Sequence, residues 1–207
     1  MAQPIEKPTS RAKGAAFKEL LIWLDKRLGR PKLVQALALL PPEYKGIIWV
    51  DADNFGILSS SWYPLPCVHK LIDGLTGSMP RQERFALAQE ASRHVMEVTL
   101  HGIYKAVVRA LVSPSLYAKF STKMWQSYYD TGDFKVFISD DGLRADCTIS
   151  NWSGHHPFTC DMNITAATAI YEAMGQQGVS TQRVACINEG GSWCRYITTW
   201  RPGPTKG

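Results

Sequence analysis

The sequence predicts a single α+β domain, in which about six helices pack on a four-stranded antiparallel sheet. Two observations predict this fold class. Apolar side chains recur every three or four residues through most of positions 14 to 132, as on amphipathic helices. After position 133 they alternate with polar side chains, as in strands, and one further helical segment separates two such regions. A chain of 207 residues is long enough to form one hydrophobic core.

Helical spacing and helix-terminating residues locate the first four helices. The first ends at Gly29, and the second lies between Pro31 and Pro41. A third is expected over about 64–75 and a long fourth over about 80–112. The apolar face of the first helix consists of Phe17, Leu20, Leu21, Leu24 and Leu28.

The fifth helix has a clear start signal. Ser113 belongs to the preferred N-cap residues, and Pro114 suits the first helical position because its fixed φ matches a helix. We expect this helix to end by Gly132. Its apolar face is predicted to consist of Leu116, Phe120, Met124 and Tyr128.

The segment 133–150 has the alternation of a β-hairpin. Apolar residues occupy every second position on both sides of Asp-Asp-Gly at 140–142, which is a turn signal. Cys147 falls on the apolar side of the second strand, so we expect it in the core. A helix over about 157–177 should follow, and a second hairpin with strands at about 181–188 and 192–200.

Composition indicates a globular protein of the cytoplasm. The apolar fraction is 45% and the charged fraction 20%, and the longest apolar stretches fall short of the ~20 residues that a membrane span needs. No secretory signal is visible in the first 32 residues. Five cysteines in a reducing compartment are expected to be thiols or metal ligands rather than disulfides.

The positive charge is concentrated at the N-terminus. Residues 1–32 hold eight Lys or Arg against three acidic residues, while the rest of the chain is neutral. We expect a disordered basic arm over 1–12, the folded domain over 13–200 and a flexible tail over 201–207. The arm is either a solvated segment or a dock for an acidic partner or membrane surface. No aromatic residues alternate with its basic ones, so we expect no nucleic-acid binding.

Three cysteines are candidates for a shared site. With a three-residue loop at 189–191, Cys186 lies directly opposite Cys194 on one sheet face, about 5 Å apart at the β-carbons. A four-residue loop would place them on opposite faces. Cys160 supplies a third sulfur near a helix N-terminus, where the thiolate is favoured. A bound metal and three reduced thiols are the open alternatives, because a disulfide between directly opposed strand residues is strained.

The same cysteines carry a family resemblance. Cys160, Cys186 and Cys194, before a final strand CRYITTW, resemble the cysteines of the 4-vinyl reductase domain, which also forms the zinc-containing sensor half of phenol- and xylene-responsive activators. The segments SSSWYPL, HGIYKAVVRALVSPSLYAKFSTKMWQSYYDTGDFKV and CINEGGSWCRYITTW are closer to an uncharacterised bacterial paralogous family. Both are similar to the ligand-binding fold of nitric-oxide signalling and Golgi transport proteins. The resemblance covers about residues 14–200.

This resemblance implies a zinc site with one departure. Relatives that sense aromatic compounds have a glutamate three residues before the middle cysteine as a fourth ligand, whereas this chain has Arg183 there. Structural zinc sites take four protein ligands. The candidates for the missing ligand are Asp161, His155 and His156, which are close in sequence to Cys160.

We expect a binding module rather than an enzyme, because no nucleophile–base motif or phosphate-binding glycine loop is present. The resemblance implies a sensory or regulatory domain that binds a small, largely apolar molecule and passes its signal to a protein partner or within a homodimer. The expected ligand-binding residues are aromatic residues of the helical half, although aromatic residues can also simply fill a core: Phe85, Tyr104, Phe120, Trp125 and Tyr128.

Two other functions stay open at this point. One is a protein-interaction scaffold without a ligand, which transport subunits of similar fold exemplify. The other is a haem-based gas sensor, in which His94 or His101 would hold the iron. Haem is the weaker of the two, because surface or core-edge histidines are much more common than haem ligands.

Overall fold

The computed structural model describes residues 9–101 and 113–201, and of residues 100 and 101 it describes the backbone alone. Within these ranges the chain forms six α-helices, a four-stranded antiparallel sheet and a small two-stranded sheet, so the predicted fold class is confirmed. The elements are β1 Arg11–Lys13, α1 Gly14–Leu28, α2 Arg30–Ala38, β2 Trp62–Pro64, α3 Leu65–Thr76, α4 Arg81–His101, α5 Pro114–Tyr128, β3 Asp133–Ile138, β4 Arg144–Ser150, α6 Pro157–Ala173, β5 Gln177–Ala185 and β6 Cys194–Arg201.

The four-stranded sheet has the order β3-β4-β6-β5 and is antiparallel throughout. Helix α6 lies between the two hairpins along the chain, as predicted, and it contacts β5, β6 and helix α4. Phe134, Ile149 and Cys194 form one row across three strands, and all three side chains are buried. Cys147 is buried in β4, in the core position that the alternation predicted. The core therefore lies between α6 and the inner face of this sheet.

Helix α5 begins as its sequence predicts but turns a different side inward. The Ser113 hydroxyl accepts a hydrogen bond from the Leu116 amide at 3.3 Å, which caps the helix. The buried residues are Tyr117, Ser121 and Trp125, whereas Phe120 is 37% exposed. The predicted apolar face is therefore wrong, because each buried residue lies one position after a predicted one. The large Tyr117 and Trp125 rings pack inward, and the predicted apolar residues beside them lie at the edge of the buried face.

The residues just before α1 are ordered, which corrects the predicted disordered arm for positions 9–12. Strand β1 pairs with β2, and the Ser10 carbonyl accepts a hydrogen bond from the Leu65 amide at 2.9 Å. The buried Ser10 hydroxyl accepts from Thr131 at 2.7 Å and from the Trp152 indole at 3.0 Å. Sequence periodicity gave no sign of this sheet because both strands are only three residues long. Residues 1–8 of the predicted arm and 202–207 of the predicted tail lie outside the described residues.

A surface ion pair fastens β1 to the loop after α5. The Arg11 guanidinium lies 2.6 Å from Asp130, and the Arg11 amide donates to the same carboxylate. The Arg11 side chain is 53% exposed, so solvent screens the pair. We predict that Arg11→Ala lowers the free energy of unfolding by no more than about 1 kcal/mol in urea denaturation. A larger loss, undiminished in high salt, would contradict this assignment of the pair as a weak surface contact.

Two other boundaries differ from expectation. Helix α6 ends at Ala173, followed by Gly175 at φ 87°, and strand β5 then begins at Gln177 rather than 181. A positive φ favours glycine, because it has no β-carbon to clash with the backbone. Among the described helices, none combines the length and apolarity needed to cross a bilayer.

Candidate functional site

A cavity of about 320 Å³ lies between the helices and the inner face of the sheet. Its described wall comes from α1, α3, α4, α5 and α6, with Phe134 and Tyr196 contributed by the sheet. Most of the wall is aliphatic or aromatic, and none of its described residues is Lys, Arg, Asp, Glu or His. Pockets of roughly 300–1,000 Å³ with mostly apolar walls are typical of small-molecule sites.

The structure brings only part of the predicted ligand set to this cavity. Trp125 and Tyr128 lie in the wall. Phe85 and Phe120 do not, which corrects their prediction: Phe85 is 36% exposed on the first part of α4, and Phe120 lies on the outward side of α5. Tyr104 lies outside the described residues.

Two further tyrosines of the wall, Tyr117 and Tyr129, lie outside the predicted ligand set. Burial raises the pKa of both phenols, that of Tyr129 to about 12, since burial disfavours the charged form. Both groups are therefore neutral at physiological pH. A wall with neutral phenols and no ionised side chain suits an uncharged molecule.

The second candidate site is a cluster of three sulfurs and one imidazole. The Sγ atom of Cys194 lies 3.7 Å from that of Cys160 and 3.5 Å from that of Cys186. His155 Nδ1 lies 3.3 Å from the Cys194 sulfur and 3.9 Å from the Cys160 sulfur. All three cysteines are buried and reduced. The structure thus brings together the three cysteines that the sequence proposed.

The loop that positions Cys186 is longer than predicted. Strand β5 ends at Ala185 and β6 begins at Cys194, so the three-residue loop is wrong. The intervening segment includes a 3₁₀ turn and Gly190 at φ 88°. The amides of Glu189 and Gly191 both donate to the Cys186 carbonyl, at 3.0 and 2.9 Å. This compact turn returns the chain so that both sulfurs still meet.

The cluster favours a thiolate at one sulfur. Hydrogen bonds from Cys160 and His155 lower the pKa of Cys194 to about 4, although burial opposes this. The Cys160 pKa is raised, chiefly because its thiol donates to Cys194. The isolated thiols of Cys67 and Cys147 behave differently, since burial raises their pKa values to about 11 and about 12. The thiolate is the form that binds metals, so Cys194 makes the chemistry of the cluster differ from that of the other two cysteines.

Several distances in the cluster are those expected between ligands of a tetrahedral zinc ion. With zinc–sulfur bonds of ~2.3 Å, neighbouring sulfurs of a tetrahedral site lie ~3.8 Å apart, and sulfur–nitrogen edges are slightly shorter. The separations of 3.3 to 3.9 Å around Cys194 and His155 match these edges. His155, Cys160 and Cys194 could therefore hold a metal ion together. Cys186 lies beside this group, with its sulfur 3.5 Å from that of Cys194, but is not part of it.

The geometry also separates His155 from the other candidate ligands. Asp161 is bound by the Arg183 guanidinium, whose other nitrogen donates to Glu189 at 3.0 Å. His156 points elsewhere, with Nε2 3.0 Å from the Asp73 carboxylate. Arg183 thus occupies Asp161, and of the three candidates His155 is the one whose ring nitrogen lies beside two of the sulfurs.

A chain of aromatic contacts connects the cluster with the cavity. The His155 ring packs edge-on against Trp152, with centroids 5.0 Å apart. Trp152 contacts two cavity-wall residues in the same way, Trp125 and Tyr129, each at 4.9 Å. The two candidate sites therefore share one packed group of side chains.

The sequence itself matches no protein-family model and no curated protein. Several solved structures match in fold across the whole chain. An Fe(II) unliganded H-NOX protein mutant from K. algicida has a TM-score of 0.65 at 13% identity, covering 92% of this chain and 97% of its own. An H-NOX mutant from S. oneidensis has 0.63 at 12%, covering 93% and 98%.

The fold is that of H-NOX proteins. A T. tengcongensis H-NOX mutant agrees, with a TM-score of 0.60 at 11% identity over 93% of this chain and 99% of its own. The H-NOX likeness is consistent with the nitric-oxide-signalling fold that the sequence resemblance implied. The resemblance to the 4-vinyl reductase domain and to the bacterial paralogous family stays a prediction.

One solved structure of similar fold concerns haem distortion in the H-NOX family. Haem iron is held by histidine, cysteine thiolate, methionine with histidine, or tyrosine. The described wall contains no histidine or cysteine, and its buried tyrosines are neutral. His94 stacks on Trp23 outside the wall, and the side chain of His101 is not described. That haem is unlikely stays a prediction, because the side chain of one of its two candidate ligands, His101, lies outside the described part of the chain.

Proposed function

We propose that this chain is a non-enzymatic sensory module that binds a small, uncharged, largely apolar molecule in the cavity. The observation that carries the proposal is the 320 Å³ cavity without a charged residue in its described wall. An engineered apolar cavity of about 150 Å³ binds benzene, so this volume suits a molecule of about two rings. The H-NOX fold of ligand-binding proteins supports the same function.

A module without chemistry of its own has to pass its signal through contacts. A protein partner or a second copy of the chain is the expected receiver, as the sequence suggested. Zinc held by His155, Cys160 and Cys194, with Cys186 moving in as the fourth ligand, would be structural, because four protein ligands leave no position open for a substrate. It would join the second hairpin to the start of α6 and so support one end of the cavity.

We predict that filling the cavity abolishes binding. Ala167 lies in the wall on α6, and Ala167→Phe places a ring in the space that a ligand needs. Naphthalene should quench the fluorescence of Trp125 in the unmodified protein to a saturable limit at one molecule per chain. The variant should bind at least tenfold more weakly.

Ala173→Phe is the matched control, because Ala173 is exposed at the end of the same helix. It should bind naphthalene as the unmodified protein does. Both variants should first be shown to melt cooperatively, since overpacking can cost 1–3 kcal/mol. Quenching that never saturates, or that is equal in all three proteins, would contradict the proposed function.

A further inference from the structure

One polar group in the cavity wall has no hydrogen-bond partner. Asn163 lies on α6, and its Nδ2 atom is buried without an acceptor. Other polar wall residues are satisfied within the fold: Ser92 donates to the Met162 carbonyl and Ser121 to the Ala118 carbonyl, each at 2.8 Å. Of the wall residues described, Asn163 is the one with a buried side-chain nitrogen or oxygen lacking a partner.

An unpaired buried amide is costly, because the group loses its bonds to water without replacement. Such groups are rare in folded proteins and usually have a functional explanation. The Nδ2 atom carries two donor hydrogens and cannot accept a hydrogen bond, so its missing partner must be a hydrogen-bond acceptor. Asn163 lines the cavity, so a ligand there can supply the acceptor once the amide group turns toward it.

We propose that Asn163 donates a hydrogen bond to an uncharged oxygen acceptor of the ligand, such as a ketone, aldehyde or ester carbonyl. This inference rests on the proposed function and adds the ligand's chemical class. A carboxylate is disfavoured, because the described wall of the cavity offers it no cation and burying an unpaired charge is far more costly than burying a neutral carbonyl. Arg183 and Arg195 line the small void beside Asn163, but each is already paired with an aspartate.

The position of Asn163 also orients the ligand. It lies three residues after Cys160 on α6, and it borders a small void that Cys160 and Cys194 also line. Residues three apart lie on the same side of a helix. The acceptor oxygen therefore lies at the end of the cavity nearest the sulfur cluster, and the apolar body extends away from it.

A pair of matched ligands tests this assignment. 2-Acetylnaphthalene carries a carbonyl, and 2-ethylnaphthalene has nearly the same shape without it. The unmodified protein should bind the ketone about tenfold more tightly, which is the effect of one hydrogen bond to a group otherwise left unpaired. 2-Naphthoate, which adds a charge, should bind at least tenfold more weakly than the ketone.

Variants assign the preference to one side chain. In Asn163→Leu and Asn163→Ala the ratio between ketone and hydrocarbon should fall to about one, so the test does not depend on a single variant folding. Glu172→Ala should keep the tenfold ratio, because Glu172 is exposed on the same helix and lies outside the cavity wall. These measurements use dissociation constants from isothermal titration calorimetry.

The outcomes separate the two proposals. Equal affinity of the unmodified protein for ketone and hydrocarbon would overturn the role of Asn163 and leave the apolar cavity standing. A preference that survives in both Asn163 variants would overturn it as well. Binding of neither ligand would overturn the proposed function, and the inference with it.

Discussion

Replacing Cys194 with serine should release bound zinc and lower the free energy of unfolding by several kcal/mol. Cys194 is the central ligand of the cluster, in contact with Cys160, Cys186 and His155. A serine hydroxyl is a poor zinc ligand in place of a thiolate. Metal-binding free energy is folding free energy when the unfolded chain has no site, and structural zinc binding amounts to roughly 10–16 kcal/mol in small peptides. Zinc content by elemental analysis and urea denaturation measure the two effects.

Cys147→Ser is the matched control, because Cys147 is equally buried but its thiol is not part of the cluster. It should keep zinc at one ion per chain and cost only ~1–3 kcal/mol, the penalty for a buried hydroxyl without a good partner. A chelator should lower the melting temperature of the Cys147→Ser variant and leave that of Cys194→Ser unchanged. Purified protein that contains no zinc and melts alike with and without chelator would refute the metal site.

Trp152→Ala should be the most damaging single change among the tryptophans, with a loss of about 3–5 kcal/mol. The Trp152 side chain is 4% exposed and packs against Trp125, Tyr129 and His155. Its indole also donates to Ser10, which holds the segment before α1. Truncation leaves a cavity between the sulfur cluster and the ligand cavity, and neighbouring rings cannot fill it without moving.

Trp193→Ala provides the comparison for the same chemical change on the surface. The Trp193 side chain is 47% exposed, so truncation removes about half as much packed area and should cost clearly less, about 1–2 kcal/mol. The two variants can be compared by the urea concentration at which each is half unfolded. One slope of the free energy of unfolding against urea concentration is used for both. A Trp152 variant as stable as the Trp193 variant would show that the aromatic chain between the two sites contributes no packing energy.

Much of the fold follows from local patterns along the chain. The change of apolar spacing after position 133 gave the boundary between helices and sheet, and the turn at 140–142 gave the first hairpin. Ser113 and Pro114 gave the start of α5, which the hydrogen bond to Leu116 confirms. These features depend on residues within one or two turns of each other, so sequence alone is sufficient to find them.

The errors arose where long-range packing decides. The side of α5 that faces inward differs by one position, because the neighbouring elements select Tyr117 and Trp125. Strand β1 forms because β2, some fifty residues later, supplies its partner. Phe85 and Phe120 have the right chemistry for a ligand wall but lie on the wrong sides of their helices. Composition gives the residue types of a wall, whereas helix rotation decides which of them line it.

The sequence by itself determined the α+β class, the position of α6 between two hairpins, and the candidate set of Cys160, Cys186 and Cys194. Only the tertiary structure decided that His155 lies beside them while Arg183 binds Asp161. It also decided which wall amide lacks a partner. The physical reason is the same in each case. Spacing along a chain fixes which residues share a helix or strand face, but the 3–4 Å distances that make ligands and hydrogen bonds depend on how distant elements pack.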